Sequence, residues 1–165
     1  LFPPLPINER TSIRSTVLRS SGGKSFYIAA GTNVNFSVMH MHRRKDLWGP
    51  DAEDFDPERW FGERLDKYVG SNPAIFLPFN TGPRNCLGQQ FAYNIMSFFL
   101  VRLLQRIETI ELVPEAQPIG TLPPPSWKGA AGRKGFEQIW PKCHLMSSCN
   151  GGLWVRMTPA KITEE

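Results

Sequence analysis

The chain has little cysteine, no unbroken apolar run long enough to cross a membrane, and no block of like charge. Cys86, Cys143 and Cys149 make an odd three in 165 residues, which excludes a full disulfide framework and favours a reducing compartment. The longest apolar stretch, Phe91 to Leu104, is interrupted by Asn94, Ser97 and Arg102, so it reads as a core helix. No signal peptide opens the chain. Nineteen Lys and Arg against 15 Asp and Glu leave a net charge of +4. The basic residues are scattered instead of forming a long block, so an acidic partner is permitted without being required, and the case for nucleic acid is weak. The first residue is Leu1, not Met, and it enters Phe2-Pro3-Pro4-Leu5-Pro6 with no capping or turn signal ahead of it, as in a chain cut from a longer one.

What is there is an ordinary globular balance, 41% hydrophobic against 21% charged, at a length that suits one domain, 1–165. Fifteen Pro and 14 Gly point to much irregular backbone. Leu1 to Pro6 is predicted to be extended, because each proline restricts the residue before it, and Thr11 to Leu18 is predicted to be a strand. Ser21-Gly22-Gly23-Lys24 reads as a turn, and Phe26 to Ile28 and Val34 to Val38 complete a small sheet. His40 to Asp46 predicts a short helix; His40 and His42, two apart, share no face of it and read as surface and packing residues. The acids from Asp51 to Glu58 are broken up by Phe55 and Pro57 and lack the spacing of a calcium loop, which leaves a solvated loop. Phe61 to Ile75 reads as irregular. A long helix is predicted over Gln89 to Ile107, apolar around most of its circumference and so buried nearly all round, with a strand at Ile110 to Val113. The Pro-rich insert 114–141 reads as a surface loop, and the chain closes on a predicted β-hairpin, His144 to Ser148 with Leu153 to Met157 about Asn150-Gly151-Gly152.

The chemistry gathers at Phe79-Asn80-Thr81-Gly82-Pro83-Arg84-Asn85-Cys86-Leu87-Gly88. A Gly-Pro turn precedes Cys86 and the apolar helix follows it, so the sulfur is expected at a helix N-terminus. There, free amides, the positive end of the dipole and nearby Arg84 favour a thiolate. A thiolate is a strong metal ligand. Gly82 and Gly88 allow close backbone approach, Phe79 offers a flat apolar surface to a large planar cofactor, and Arg84 is placed to pair with a cofactor carboxylate. The bland alternative is a buried structural cysteine ahead of a core helix.

The pattern Phe-x-x-Gly-x-Arg-x-Cys-x-Gly, met by Phe79, Gly82, Arg84, Cys86 and Gly88, resembles the cysteine loop of the cytochrome P-450 family at every fixed position. The likeness continues through His42-Arg43, Leu47 to Glu53 and Phe55-Asp56-Pro57-Glu58-Arg59-Trp60. It implies a mainly α fold with small β-sheets, of which 1–165 is the C-terminal part of a single domain. It also implies a haem cofactor, iron protoporphyrin, with Cys86 as the axial thiolate of the iron, Arg84 as a propionate partner, and Phe79 and Gly88 against the ring. Arg10 matches a second propionate-binding arginine, with a solvated strand arginine as the alternative. Leu5 and Ile7, in the extended piece beside the haem, and His144, in the closing hairpin, would contact substrate. Arg59 would complete a buried cluster whose other members precede Leu1, so its guanidinium is expected to be unpaired here and the isolated chain unstable.

The activity so implied is that of a haem-thiolate monooxygenase, placing one atom of dioxygen on a small hydrophobic organic substrate. Its electrons come from NADPH-cytochrome P-450 reductase. The enzyme is expected on the cytosolic face of the endoplasmic reticulum membrane, held by an anchor missing from this chain. No residue here is assigned as catalytic, and the piece is not expected to turn over alone. The residues around Trp48 and the Pro-rich tail are similar to fungal alkane and fatty-acid hydroxylases. Arg43, Arg44 and Lys45 read either as a face for an acidic reductase or as solvated surface. Three alternatives remain at this stage: a truncated, non-catalytic haem-binding or interaction remnant; a basic nucleic-acid module; and zinc at Cys143, His144 and Cys149, which lacks a second ligand pair.

Overall fold

Prolines at positions 3, 4 and 6 hold the start of the chain out of helix, and the carbonyl of Pro6 accepts from the Met39 amide (3.2 Å) and the Ser37 hydroxyl (3.1 Å). The computed structural model describes residues 1–20 and 22–161, and the chain divides into two compact units, Leu1–Pro78 and Phe79–Glu165.

In the first unit, β1 (Ile7–Thr11) pairs antiparallel with β4 (Asn33–Ser37), and β2 (Thr16–Arg19) pairs with β3 (Ser25–Ile28). The strand expected over Thr11 to Leu18 is therefore broken, and the single small sheet becomes two ribbons. The break has a local cause. The Ser12 amide still donates to Thr32 O (2.9 Å), in register with β4, but its carbonyl accepts from Gly31 (2.7 Å) and its hydroxyl donates to the Arg14 carbonyl, so the ladder ends at this residue. The turn between β2 and β3 uses Gly23 at φ 77°; Ser21, part of the expected turn, lies outside the described residues.

The helix expected over His40 to Asp46 is two single turns, α1 (Val38–Met41), capped by the Ser37 hydroxyl, and α2 (Lys45–Trp48). Gly49 ends α2 at φ 88°, and a Cβ there would lie 2.8 Å from the Tyr68 hydroxyl oxygen. Trp48 is thereby delivered into a core with Ala52 and Ile75, walled by Leu47, Tyr68, Val69 and Phe76. Its ring meets those of Trp60, Tyr68 and Phe76 at 5.9 to 6.2 Å, so aromatic area supplies most of this small core. Phe61 to Ile75 is not irregular: α3 (Gly62–Leu65) runs into a π turn, Asp66–Gly70, and a 3-10 turn, Pro73–Ile75.

Arg59 corrects another expectation. It is 7% exposed, yet its guanidinium donates to the carbonyls of Trp48 (2.7 Å) and Asp51 (2.8 Å) and lies 3.0 Å from the Asp51 carboxylate. Arg64 bridges Asp51 (2.8 Å) and Asp56 (2.6 Å), and Asp56 caps the 3-10 turn Pro57–Trp60. The acidic loop is thus solvated in part, with Asp54 and Glu58 exposed, while Asp51 and Asp56 serve as partners for two arginines. Burial works to raise the Asp51 pKa, but its own backbone amide and the two guanidinium groups prevail and hold it below the usual carboxylate value.

His42 is 8% exposed, stacks near Phe76 (5.1 Å), and accepts the Leu77 amide on Nε2 at 3.0 Å, so the ring is held neutral with that nitrogen bare. Burial is the main cause that lowers its pKa from 6.5 to about 4. His40 is exposed, as expected of a surface residue.

In the second unit, α4 (Gln89–Leu104) stops short of the expected Ile107 because that residue already belongs to β5 (Ile107–Leu112). Its apolar positions call for burial all round, yet within the unit they stay open: Phe91, Phe98 and Phe99 are all largely exposed. The hairpin expected at the end lies one segment earlier, as β6 (Pro141–Cys143) paired with β7 (Ser147–Cys149), while β8 (Val155–Pro159) crosses back to β5. The reason is the 150–152 turn: Gln117 donates to the carbonyls of Asn150 (3.1 Å) and Gly152 (3.2 Å), which ties it to the insert and leaves it no hairpin to close. The insert is accordingly a pinned segment and not a free loop. It carries 3-10 turns at Pro114–Ala116, Pro125–Trp127 and Gly132–Gly135, and the Asn150 amide donates to Trp140 O (2.8 Å).

Asp51→Asn is expected to lower stability by on the order of 2 kcal/mol, between the values for buried and exposed pairs, because Arg59 would keep only carbonyl partners. Arg64→Ala, at an exposed bridge, is expected to lose less than about 1 kcal/mol. Urea unfolding of both variants checks the order, and equal losses would remove Arg59 as the centre of the network. For His42 the folded pKa lies below the unfolded one, so the folded state binds fewer protons and stability falls as pH drops from 6.5 towards about 4. The loss is on the order of 3 kcal/mol. The His42 ring proton shift should titrate near pH 4, and a midpoint at 6.5 would mean a solvated ring.

Candidate functional site

The loop that opens the second unit is built by backbone hydrogen bonds. Asn80 takes φ 61°, which asparagine tolerates better than most residues, and Gly82 takes φ 70° to start a 3-10 turn, Gly82–Arg84, that Pro83 favours. The Asn85 amide donates to Gly82 O (3.1 Å), and the Cys86 amide donates to Phe79 O (2.8 Å), which closes the loop. Gly88 is the N-cap of α4, with its carbonyl accepting from Ala92 (2.8 Å), so Cys86 stands just ahead of the helix start.

Cys86 is exposed, which sets aside the alternative of a buried structural cysteine. A Cβ on Gly88 would lie 3.9 Å from the sulfur, so glycine leaves the space beside it open. Phe79 is held edge-on by Tyr93 (5.1 Å, 62°), one turn into α4. Tyr93 is the residue that sequence reasoning missed; its only signal was an aromatic one turn after the helix start. Arg84 is exposed two residues before the cysteine, and among the described residues no carboxylate pairs with it.

The donor set can be tested against a haem. Among the described residues no group of three or more His, Cys, Asp or Glu is placed to hold a metal ion. A metal at Cys86 must therefore bring its other donors with it, as a porphyrin does, and take one sulfur from the chain. An exposed sulfur, a glycine beside it, an aromatic ring and a free guanidinium fit that group. Zinc at Cys143, His144 and Cys149 does not fit: Cys143 lies opposite Ser147 and Cys149 opposite Pro141, which puts the two thiols at different ends of the hairpin.

Phe79, Arg84, Cys86 and Gly88 come together in this one loop. His144 is in the same unit, exposed at the tip of the β6–β7 hairpin, with its amide directed to Met146 O (3.4 Å). Leu5, Ile7 and Arg10 belong to the first unit, where Leu5 and Ile7 are exposed on the approach to β1 and in β1 itself. Arg10 donates to Glu9 O (2.8 Å) and lies over Phe36 at 5.6 Å, so its guanidinium is only lightly held. The basic run is more occupied: Arg43 donates to Leu1 O (2.7 Å), Arg44 pairs with Asp46, and Lys45 lies 3.9 Å from Glu53.

The family model for cytochrome P450 matches residues 1–128. A cytochrome P450 monooxygenase g430 from Fusarium sp is 46% identical over 124 residues, 73% of this chain and 20% of that protein. A cytochrome P450 52A6 from Candida tropicalis is 37% identical over 162 residues, 95% of this chain and 26% of that protein. The chain thus spans about a fifth to a quarter of the length of these relatives. A solved cytochrome P450DA heme domain superposes with a TM-score of 0.68 at 22% identity, over 97% of this chain and 29% of that one, a likeness of fold. Together with the closed cysteine loop, the match over residues 1–128 shows that the chain belongs to the cytochrome P450 family.

Proposed function

We propose that the chain is the C-terminal part of a single haem-thiolate monooxygenase domain, and that Phe79–Gly88 holds the haem with Cys86 as the axial ligand of its iron. The observation that carries this reading is the exposed Cys86 sulfur, on a loop closed by the Phe79 carbonyl and left open on the Gly88 side. Bound there, haem supplies the redox chemistry that divides dioxygen between an organic substrate and water, using two electrons from a reductase.

The chain's own part is to bind, orient and shield. Cys86 supplies electron density through its sulfur. Gly88 leaves room for a flat group beside the sulfur, and Phe79, braced by Tyr93, offers an apolar ring for that group to rest on. Arg84 is free to pair with one propionate. Arg10, whose hydrogen bond to a neighbouring carbonyl is easily exchanged, is assigned to the other. Leu5, Ile7 and His144 are assigned to the substrate side, and the apolar character of the first two supports a small hydrophobic substrate.

The further assignments rest on the family. They are NADPH-cytochrome P-450 reductase as electron donor and the endoplasmic reticulum membrane as location, with an anchor outside this chain. Arg44 and Lys45 stay exposed in their surface pairs and Arg43 donates to the Leu1 carbonyl, which favours solvated surface over a reductase face for this run.

The 165-residue chain with added haem should give the red-shifted reduced carbon monoxide difference spectrum of thiolate ligation. Cys86→Ser should abolish it, whereas Cys143→Ser and Cys149→Ser should leave it intact; an unchanged spectrum in Cys86→Ser would sink the ligand assignment. Arg84→Ala should keep the position of the band and release haem roughly tenfold faster, as expected for loss of one solvent-exposed charged hydrogen bond. Transfer of haem to apomyoglobin measures that rate.

A further inference from the structure

The Pro-rich insert carries a row of basic and aromatic side chains that the haem loop does not use. Lys134 Nζ lies 5.0 Å from the centre of the Trp127 ring, Trp127 meets Trp140 edge-on at 6.4 Å, and Lys142 Nζ lies 5.7 Å from the Trp140 ring. Both lysines are exposed and both indoles partly buried. Glu137 is taken by Arg133 at 2.8 Å, and neither Lys134 nor Lys142 pairs with a carboxylate among the described residues. Phe136, 57% exposed, shares a cleft of about 320 Å³ with Trp127 and Lys134. The contacts from Gln117 and Asn150 pin the segment, so this surface is preorganised.

We propose that this surface rests on an anionic lipid bilayer. The lysines meet the lipid phosphates, the indoles sit at headgroup level, and the Phe136 ring enters the acyl boundary. Charge complementarity chooses the partner's sign, since the row carries two ammonium groups without acidic partners. Nucleic acid suits it less, because a lysine already lies over each indole and base stacking needs an open ring face. An acidic protein suits it less as well, because a half-exposed phenyl ring sharing a cleft with a lysine requires no matching shape in a fluid interface. The proposal concerns where the protein sits and needs no haem, so its failure and failure of the Cys86 assignment are seen in separate experiments.

The test is sedimentation of the 165-residue chain with phosphatidylcholine vesicles, with and without phosphatidylserine. α4 exposes apolar side chains of its own, so binding to neutral vesicles is the background and the excess on anionic vesicles is the signal. Lys134→Ala/Lys142→Ala should weaken that excess on the order of thirty-fold, Lys134→Arg/Lys142→Arg should restore it, and high salt should remove it. Phe136→Ser should weaken it severalfold with unchanged circular dichroism. Equal binding to both vesicle types, no effect of the alanine pair, or tighter binding to an oligonucleotide or polyglutamate than to anionic vesicles would overturn the proposal.

Discussion

A guanidinium withdrawn from water constrains the first unit. Arg59 is buried, so its donors must meet acceptors inside the protein, and they meet the carbonyls of Trp48 and Asp51 and the Asp51 carboxylate. Those partners fix the backbone between Trp48 and Ala52, and with it the direction in which the Trp48 ring enters the core. Asp51 in turn holds Arg64, Arg64 holds Asp56, and Asp56 caps the turn that carries Arg59 itself. The network is a closed circuit, in which each charge is satisfied by a group that another charge has positioned.

The second unit depends on a neutral constraint of the same kind. One amide, that of Cys86, must find an acceptor in a loop that holds just one 3-10 turn, and it finds the Phe79 carbonyl. That bond sets the sulfur ahead of α4 while Asn80 and Gly82 absorb the backbone turn at positive φ. A loop of this form presents a single donor to a metal, which is why the fit is to a cofactor that carries its own equatorial ligands.

The same accounting explains why a segment so rich in proline is ordered. Proline lacks an amide, so the insert has few ladder hydrogen bonds to offer, and side chains do the work instead: Gln117 binds the 150–152 turn, and Trp140 and Trp154 flank the cavity beneath it. Order without a regular element leaves side chains in fixed positions on the surface, as the Lys134, Trp127, Trp140 and Lys142 row illustrates.

The sequence by itself determined the cysteine loop, the helix after it and the strands β3, β4 and β5 to within a few residues. In each case the signal is local: glycine and proline placement, or an apolar pattern whose period belongs to one element. Tertiary structure alone decided the rest. Thr11 to Leu18 has the composition of one strand, but Ser12 meets Thr32 and Gly31 and divides it. Leu153 to Met157 looks ready to fold back on its neighbour, but Val155 pairs with Leu112, far behind it in the chain. Arg59 has its acceptors in the preceding loop, and Tyr93 braces Phe79 across a turn. Such partners are chosen by which buried donors and acceptors remain unsatisfied once the chain is compact, a condition that no window of neighbouring residues contains.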